Sequence, residues 1–253
     1  MKKLLLAAIL LGCTAWANAQ EITIAAAADL QAVFPEIISR FEHETGKKVR
    51  VNFGSSGQFL QQIENGAPFD LFFSADVQYP QKLESEGLAE HGSLYRYAVG
   101  RLVLFVPSGS KLDPSRGMRV LLQPEVNKIA IANPQHAPYG RAAVEALRKE
   151  GIYDAVQPKL VMGENISQAA QFVHTGSADA GLIALSLARS PQMKSAGRYI
   201  DVPAADYTAI EQAAVILKSS KEKPGAAQFL DFLRRPEIVK LMTEYGFTTP
   251  SAK

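Results

Sequence analysis

Beyond residue 20 this sequence has no cysteine and no tryptophan, because the only Cys is Cys13 and the only Trp is Trp16. A chain without later cysteines has no disulfide and no thiol nucleophile, and must be held by its core alone. An excess of charge of one sign is also missing. The 27 Lys and Arg face 25 Asp and Glu, and Lys2 and Lys3 account for the difference, so the rest balances 25 against 25. That balance gives no ground for a nucleic-acid partner or an anionic membrane surface. No apolar run after residue 20 approaches the roughly 20 residues a membrane-spanning helix needs. Repeats and low-complexity segments are absent as well. There is no G-x-S-x-G elbow and no P-loop, and His43-Glu44 meets Lys47 where H-E-x-x-H requires a second His. His91 and His174 read as surface positions, and His136 as a loop-orienting residue.

What is present begins with the leader. Met1-Lys2-Lys3 precedes the apolar stretch Leu4 to Leu11, and Ala17-Asn18-Ala19 follows as a small-x-small site. A positive start, a short apolar stretch and such a site make a secretory signal peptide over residues 1–19, with the mature chain starting at Gln20 and exported to the periplasm. Leu10-Leu11-Gly12-Cys13 offers a second processing route, a lipoprotein anchored at Cys13. The Ala-x-Ala site is preferred, since Leu11 is unusual at its lipobox position. The remaining chain of about 234 residues is long enough for one large or two small domains.

The mature chain alternates strand and helix patterns. Strands are expected at Ile22 to Ala27, Val49 to Phe53, Asp70 to Phe73 and Leu102 to Val106. Further strands are expected at Lys128 to Ala132, Leu160 to Met162, Ala180 to Ala184 and Ala213 to Leu217. Helices are expected from Asp29 to His43, with Gly46 as the stop, and over Gln58 to Glu64, Tyr79 to Glu86, Arg141–Lys149, Ser167–His174, Ala226–Leu233 and Pro236–Tyr245. This order predicts an α/β protein with open, largely parallel sheets covered on both faces, and its many units suit two lobes. Ligands of such sheets sit beyond the carboxyl ends of the strands.

Four strand-to-helix loops stand out there: Ala26-Ala27-Ala28-Asp29-Leu30, Phe53-Gly54-Ser55-Ser56-Gly57, Pro134 to Gly140 and Gly163-Glu164-Asn165-Ile166. A helix start offers free N–H groups and a positive dipole end, which suit an anion. Ser55, Ser56 and Tyr139 add hydroxyls. Each loop also has a plainer reading, in which Asp29 and Ser56 simply cap their helices.

Together these segments resemble the periplasmic molybdate-binding proteins of ABC importers over almost the whole mature length. The resemblance rests on Ala25-Ala26-Ala27-Ala28-Asp29-Leu30, Phe53-Gly54-Ser55-Ser56, the run from Gly66 to Asp76, the loop from Asn133 to Gly140, and Tyr245-Gly246-Phe247. It implies a two-lobed periplasmic binding protein fold of type II, each lobe a mainly parallel sheet flanked by helices. Lobe one would hold residues 20–98 and 205–253, lobe two residues 99–204, with the oxyanion between them. The family's binding positions fall on Asp29, Ser56, Tyr139 and Ile166, with Ala28, Ser55, Arg141 and Ala184 as secondary candidates. Asp70 and Asp76 match structural positions. A Tyr that some members use falls on Ala184, so its hydroxyl is missing, and Tyr139 is expected to replace it.

Asp29 departs from the family's Ser or Asn. A carboxylate about 4 Å from a dianion costs a few kcal/mol even at moderate dielectric. Three readings stand side by side. Asp29 turns away and caps its helix, or it pairs with Arg141 as a latch between lobes, or it takes a proton from the ligand, which would select hydrogen phosphate or arsenate. The function implied is a non-enzymatic carrier of molybdate, or tungstate, that delivers the ion to the permease and ATPase of an ABC importer. It would act as a monomer without a cofactor, the metal entering only as an oxyanion held through its oxygens. Another oxyanion, sulfate or phosphate, is the alternative ligand. An exported serine hydrolase using Ser56 is the remote one.

Overall fold

The structure, a computed structural model, describes residues 21–250. The signal peptide, its cleavage before Gln20 and the lipidation of Cys13 lie outside the described residues. Among those residues no helix is long and apolar enough to cross a membrane.

Ten strands form two five-stranded sheets. The first contains β1 (Glu21–Ala27), β2 (Lys48–Gly54), β3 (Leu71–Ser74) and β4 (Tyr95–Gly100). The second contains β5 (Leu102–Pro107), β6 (Ile129–Ala132), β7 (Leu160–Gly163), β8 (Ala180–Ala184) and β9 (Gly197–Asp201). β10 (Ile210–Ile216) returns to the first. The orders are β2-β1-β3-β10-β4 and β7-β6-β8-β5-β9. The chain therefore changes sheets twice, at Arg101 between β4 and β5, and over residues 202–209 between β9 and β10.

Helices cover the sheets: α1 (Phe34–Thr45), α2 (Ser56–Glu64) and α3 (Gln78–Ser85) in the first segment, α4 (Pro138–Lys149), α5 (Tyr153–Val156), α6 (Ile166–His174), α7 (Leu185–Ala188) and α8 (Pro191–Lys194) in the second, then α9 (Lys223–Leu233) and α10 (Pro236–Glu244). The parallel pairings expected of strand-helix-strand units are present, β1 with β2 and β3, and β6 with β7 and β8. Strands at the sheet changes pair the other way. β10 lies antiparallel between β3 and β4, and β5 antiparallel between β8 and β9.

Alternation sorts the first sheet's side chains onto two faces. Ile24, Ala26, Leu71, Phe73 and Ala214 enter one buried cluster, while Ala25, Phe72 and Val215 enter the other. Phe34, Phe41, Phe73 and Phe229 meet edge to face in the first cluster, with ring centres 5.0–6.1 Å apart. Helix α1 buries Phe34, Ile37, Ile38 and Phe41, a 3.6-residue period, and stops at Gly46, whose left-handed φ of 70° closes the last turn onto Glu42 O.

The helix expected from Asp29 begins later. Residues Ala28–Ala32 form a tighter 3-10 turn, and α1 starts at Phe34 with Pro35 in its first turn. Proline lacks an N–H and would break a helix interior, so the helix restarts where Pro35 is tolerated. Strands β4 and β9, for which the sequence analysis predicts nothing, are edge strands with partly exposed faces. They carry neither a continuous apolar run nor a clean alternation.

Candidate functional site

Three helices begin at one small cavity between the two sheets. From the first sheet's loops it is lined by Ala27, Ala28, Asp29, Gly54, Ser55, Ser56 and Ala75. From the second come Ala137, Pro138, Tyr139, Asn165 and Ile166. It is tight, with a cavity volume of about 10 Å³ for the centre of a water-sized sphere, and no Lys, Arg or His lines it. Six of the eight candidate residues therefore meet here. Arg141 and Ala184 do not. Ala184 is buried at the end of β8, opposite Leu102.

The first turns of these helices use most of their amides within the protein. In α6 the cap Asn165 accepts from Ser167 and Gln168 through Oδ1, both at 3.0 Å. That leaves the Ile166 N–H. In α4, Pro138 has no N–H, and Gly140 and Arg141 both donate to Ala137 O. That leaves the Tyr139 N–H. In α2, Gly57 donates to His136 O at 3.0 Å and Phe59 to Ser55 O. The Ser56 N–H, at the first helical position, has no partner inside its helix. Three amides with the positive ends of three helices thus face one space. Gly57 makes the approach possible, since a Cβ there would lie 2.6 Å from His136 O.

The hydroxyls divide differently from expectation. Neither Ser55 nor Ser56 caps α2 through its side chain. Ser55 occupies the cap position but donates to His136 O at 2.5 Å, and its oxygen lies 2.9 Å from His136 Nδ1. Ser56 Oγ accepts from Ala75 N at 3.0 Å, which leaves its own proton to donate. Tyr139 donates its hydroxyl to Asp29, so it does not supply the hydroxyl missing at Ala184.

Asp29 is fully buried inside the 3-10 turn, where Ala27, not Asp29, is the cap residue. The capping expectation is thereby overturned: the tight turn leaves Asp29 two positions past the cap. Its Oδ2 accepts from the Tyr139 hydroxyl at 3.0 Å and from Gln212 Nε2 at 2.5 Å, while Oδ1 has no hydrogen-bond partner. Burial raises its pKa to about 6, against the opposing pull of the Gln212 and Tyr139 hydrogen bonds. Gln212 is held in turn by the Tyr97 hydroxyl, which donates to Oε1 at 2.7 Å. Gly100 makes room, because a Cβ there would fall 2.1 Å from the Tyr139 hydroxyl.

The expected Asp29–Arg141 latch is also overturned. Arg141 lies across the seam from a different acid. It pairs with Asp76 and donates to the Tyr79 hydroxyl at 3.0 Å. Other bonds cross the same seam, from Gln58 to Glu164, from Ser167 to Gln31, and from Ser186 Oγ to Asp29 O at 2.7 Å. The two halves are closed on each other. Asp70 is scaffold as expected, accepting from Thr23 N on β1 and from Ser220 near the start of α9.

Gln212, Tyr97, Gly100 and Ser186 are absent from the sequence-based candidates. Gln212 left one signal, a polar residue leading into the apolar run from Ala213 to Leu217. The others left none. No group of three or more His, Cys, Asp or Glu able to hold a metal ion occurs among the described residues.

Residues 22–248 match the family described as bacterial extracellular solute-binding protein. The chain is 42% identical over 242 residues to the molybdate-binding protein ModA of Azotobacter vinelandii, covering 96% of this chain and 94% of that one. It is 40% identical, with the same coverage, to ModA of Rhodobacter capsulatus. The solved periplasmic molybdate-binding protein of Azotobacter vinelandii superposes with a TM-score of 0.85 at 35% identity, covering 91% of this chain and 100% of that one. The sulfate-binding protein of Mycobacterium tuberculosis, at 17% identity and a TM-score of 0.75, shares the fold.

Proposed function

This chain belongs to the bacterial extracellular solute-binding protein family, and we propose that it captures molybdate, or tungstate, between its two halves and hands it to an ABC importer. The observation that carries this reading is the convergence of the Ser56, Tyr139 and Ile166 amides and the Ser56 hydroxyl on one cavity that no cation lines. An unpaired dianion is costly to bury, so it needs many donors. Hydrogen bonds to a charged group contribute about 1.5–3 kcal/mol each, and several together offset desolvation. Neutral donors at fixed positions discriminate by size: the larger tetrahedral ion reaches both walls at once, and sulfate reaches fewer donors.

Closure follows from the same geometry. Asp29, Ser56 and Ala28 belong to one half, Tyr139 and Ile166 to the other, so only the closed form makes all the contacts. A permease that recognises the closed form would then receive loaded protein. The reading puts the mature protein in the periplasm, as a monomer with no enzymatic step. Against the hydrolase reading, Ser56 Oγ accepts from the Ala75 amide, and the His136 Nδ1 is engaged by Ser55. One observation favours a second ligand, hydrogen phosphate, because the unpartnered Asp29 Oδ1 would accept its proton.

Thermal unfolding of ligand-stripped protein with molybdate, tungstate, sulfate and phosphate tests the assignment, followed by calorimetry or dye. At a hundred times Kd, a ligand specific for the folded form adds about 2.7 kcal/mol. The expected result is a shift with molybdate and tungstate. A shift with phosphate alone reassigns the ligand, and no shift with any of them removes the oxyanion reading.

A further inference from the structure

We infer that Asp29 meets the bound oxyanion as a neutral acid, with Oδ1–H donating to it, so that capture of a fully deprotonated dianion takes up one proton from solution. This rests on the oxyanion reading above, and it makes Asp29 a donor in this chain where a carboxylate would be a repulsive neighbour.

The hydrogen-bond directions assign the proton to one oxygen. Tyr97 donates to Gln212 Oε1, which turns the Gln212 amide nitrogen, a donor only, towards Asp29. Its target is Oδ2, which the Tyr139 hydroxyl also reaches. Oδ2 is therefore committed as an acceptor twice over. Oδ1 is buried, makes no hydrogen bond, and belongs to a residue that lines the cavity, with the Asp29 and Leu30 backbone N–H groups as the other donors near the carboxylate. A proton on the carboxyl has its place on Oδ1, where an oxyanion in the cavity is an acceptor for it.

The surroundings offer the carboxylate no compensating charge. From β10 the facing group is Gln212, from α4 Tyr139, and from β4 Tyr97 behind Gln212. Both tyrosines are pushed well above their ordinary pKa by burial and by the Asp29 charge, so they stay neutral. From β2 and α2 come Gly54, Ser55 and Ser56, and from α6 Asn165 and Ile166, none of them ionisable at neutral pH. Ser186, on α7, bonds the Asp29 carbonyl. Arg141 is engaged by Asp76, and His136 by Ser55. Burial, against the opposing hydrogen bonds, already lifts the Asp29 pKa to about 6, and a dianion beside Oδ1 pushes it in the same direction. The proton comes from solvent and forms one O–H bond, with no other bond changed.

The test is titration calorimetry of the whole mature protein with molybdate at pH 7.5, in two phosphate-free buffers of different ionisation enthalpy. Uptake of about one proton per ion is expected, together with affinity that falls about tenfold per pH unit between pH 6.5 and 8. Asp29→Asn, which keeps the shape and loses the proton, is expected to bind with no buffer dependence and no pH slope. Molybdate binding whose enthalpy is the same in both buffers overturns the inference and leaves the carrier reading standing. A slope that persists in Asp29→Asn also overturns it. No heat and no binding with molybdate, tungstate or sulfate overturns both.

Discussion

The Tyr139 hydroxyl, from the second sheet's side of the seam, donates at 3.0 Å to Oδ2 of Asp29 on the first. A helix start from one half thereby holds the one acidic group in the cavity wall of the other. The bond exists only with the halves together, and it spends the tyrosine proton that the ligand would otherwise have met. What faces the ion is then the backbone of Tyr139 and the second oxygen of Asp29.

Replacing Tyr139 with Phe removes one of the two bonds to a buried carboxyl oxygen. A charged-group hydrogen bond of this kind is worth about 1.5–3 kcal/mol. The variant is expected to lose about that much at pH 8, and less at pH 4.5, where the carboxyl is neutral. Urea unfolding at the two pH values measures it. Because the tyrosine bond lowers the Asp29 pKa, its loss moves that pKa further up.

Asp29→Asn is expected to stabilise the ligand-free closed protein at high pH. The folded pKa of about 6 lies above the ordinary carboxyl value of 3.8. A raised carboxyl pKa means the folded form holds the proton more tightly, so stability falls as pH rises from about 4 through 6 and is fully reduced above that. The difference corresponds to about 3 kcal/mol. Denaturation midpoints of parent and variant are expected to approach each other near pH 4 and to separate at pH 8 in favour of the variant. Equal midpoints at pH 8 contradict the assignment.

Gly100→Ala puts a methyl 2.1 Å from the Tyr139 hydroxyl and 2.7 Å from Gln212 Nε2. Neither group can retreat without giving up Asp29. Overpacking of this sort costs about 1–3 kcal/mol, and oxyanion affinity is expected to fall at least tenfold (~1.4 kcal/mol). Stability and affinity measured on the same preparation check both. Unchanged affinity would mean that the Tyr139–Gln212–Asp29 cluster does not support the site.

Arg141→Ala removes the ion pair with Asp76 across the seam. Their side chains are 35% and 17% exposed, so screening limits the effect to about 1 kcal/mol. Affinity is expected to drop about fivefold or less. Raising salt to 1 M should weaken the parent and leave the variant almost unmoved, which a titration at two ionic strengths reads directly.

Much of this architecture is legible along the chain. The apolar runs at Ile22 to Ala27 and Leu102 to Val106, the i, i+3, i+4, i+7 face from Phe34 to Phe41, and the stop at Gly46 are local features, and each element forms where its pattern lies. The loops at Ser55-Ser56, Tyr139 and Ile166 were also readable, because a helix start needs a cap or a small residue wherever it occurs. Strands β4 and β9 were not, since an edge strand borrows its stability from a neighbour and needs no apolar pattern of its own.

Local spacing thus settles which segments are strands or helices, and that several helix starts lie in reach of an anion. It does not settle what Asp29 touches. Its partners Tyr139 and Gln212 stand 110 and 183 residues away, and Arg141 finds Asp76 across 65. Those choices follow from how two sheets pack against each other, which positions side chains to fractions of an ångström. No pattern of neighbouring residues carries that information, and the free oxygen of Asp29 is its consequence.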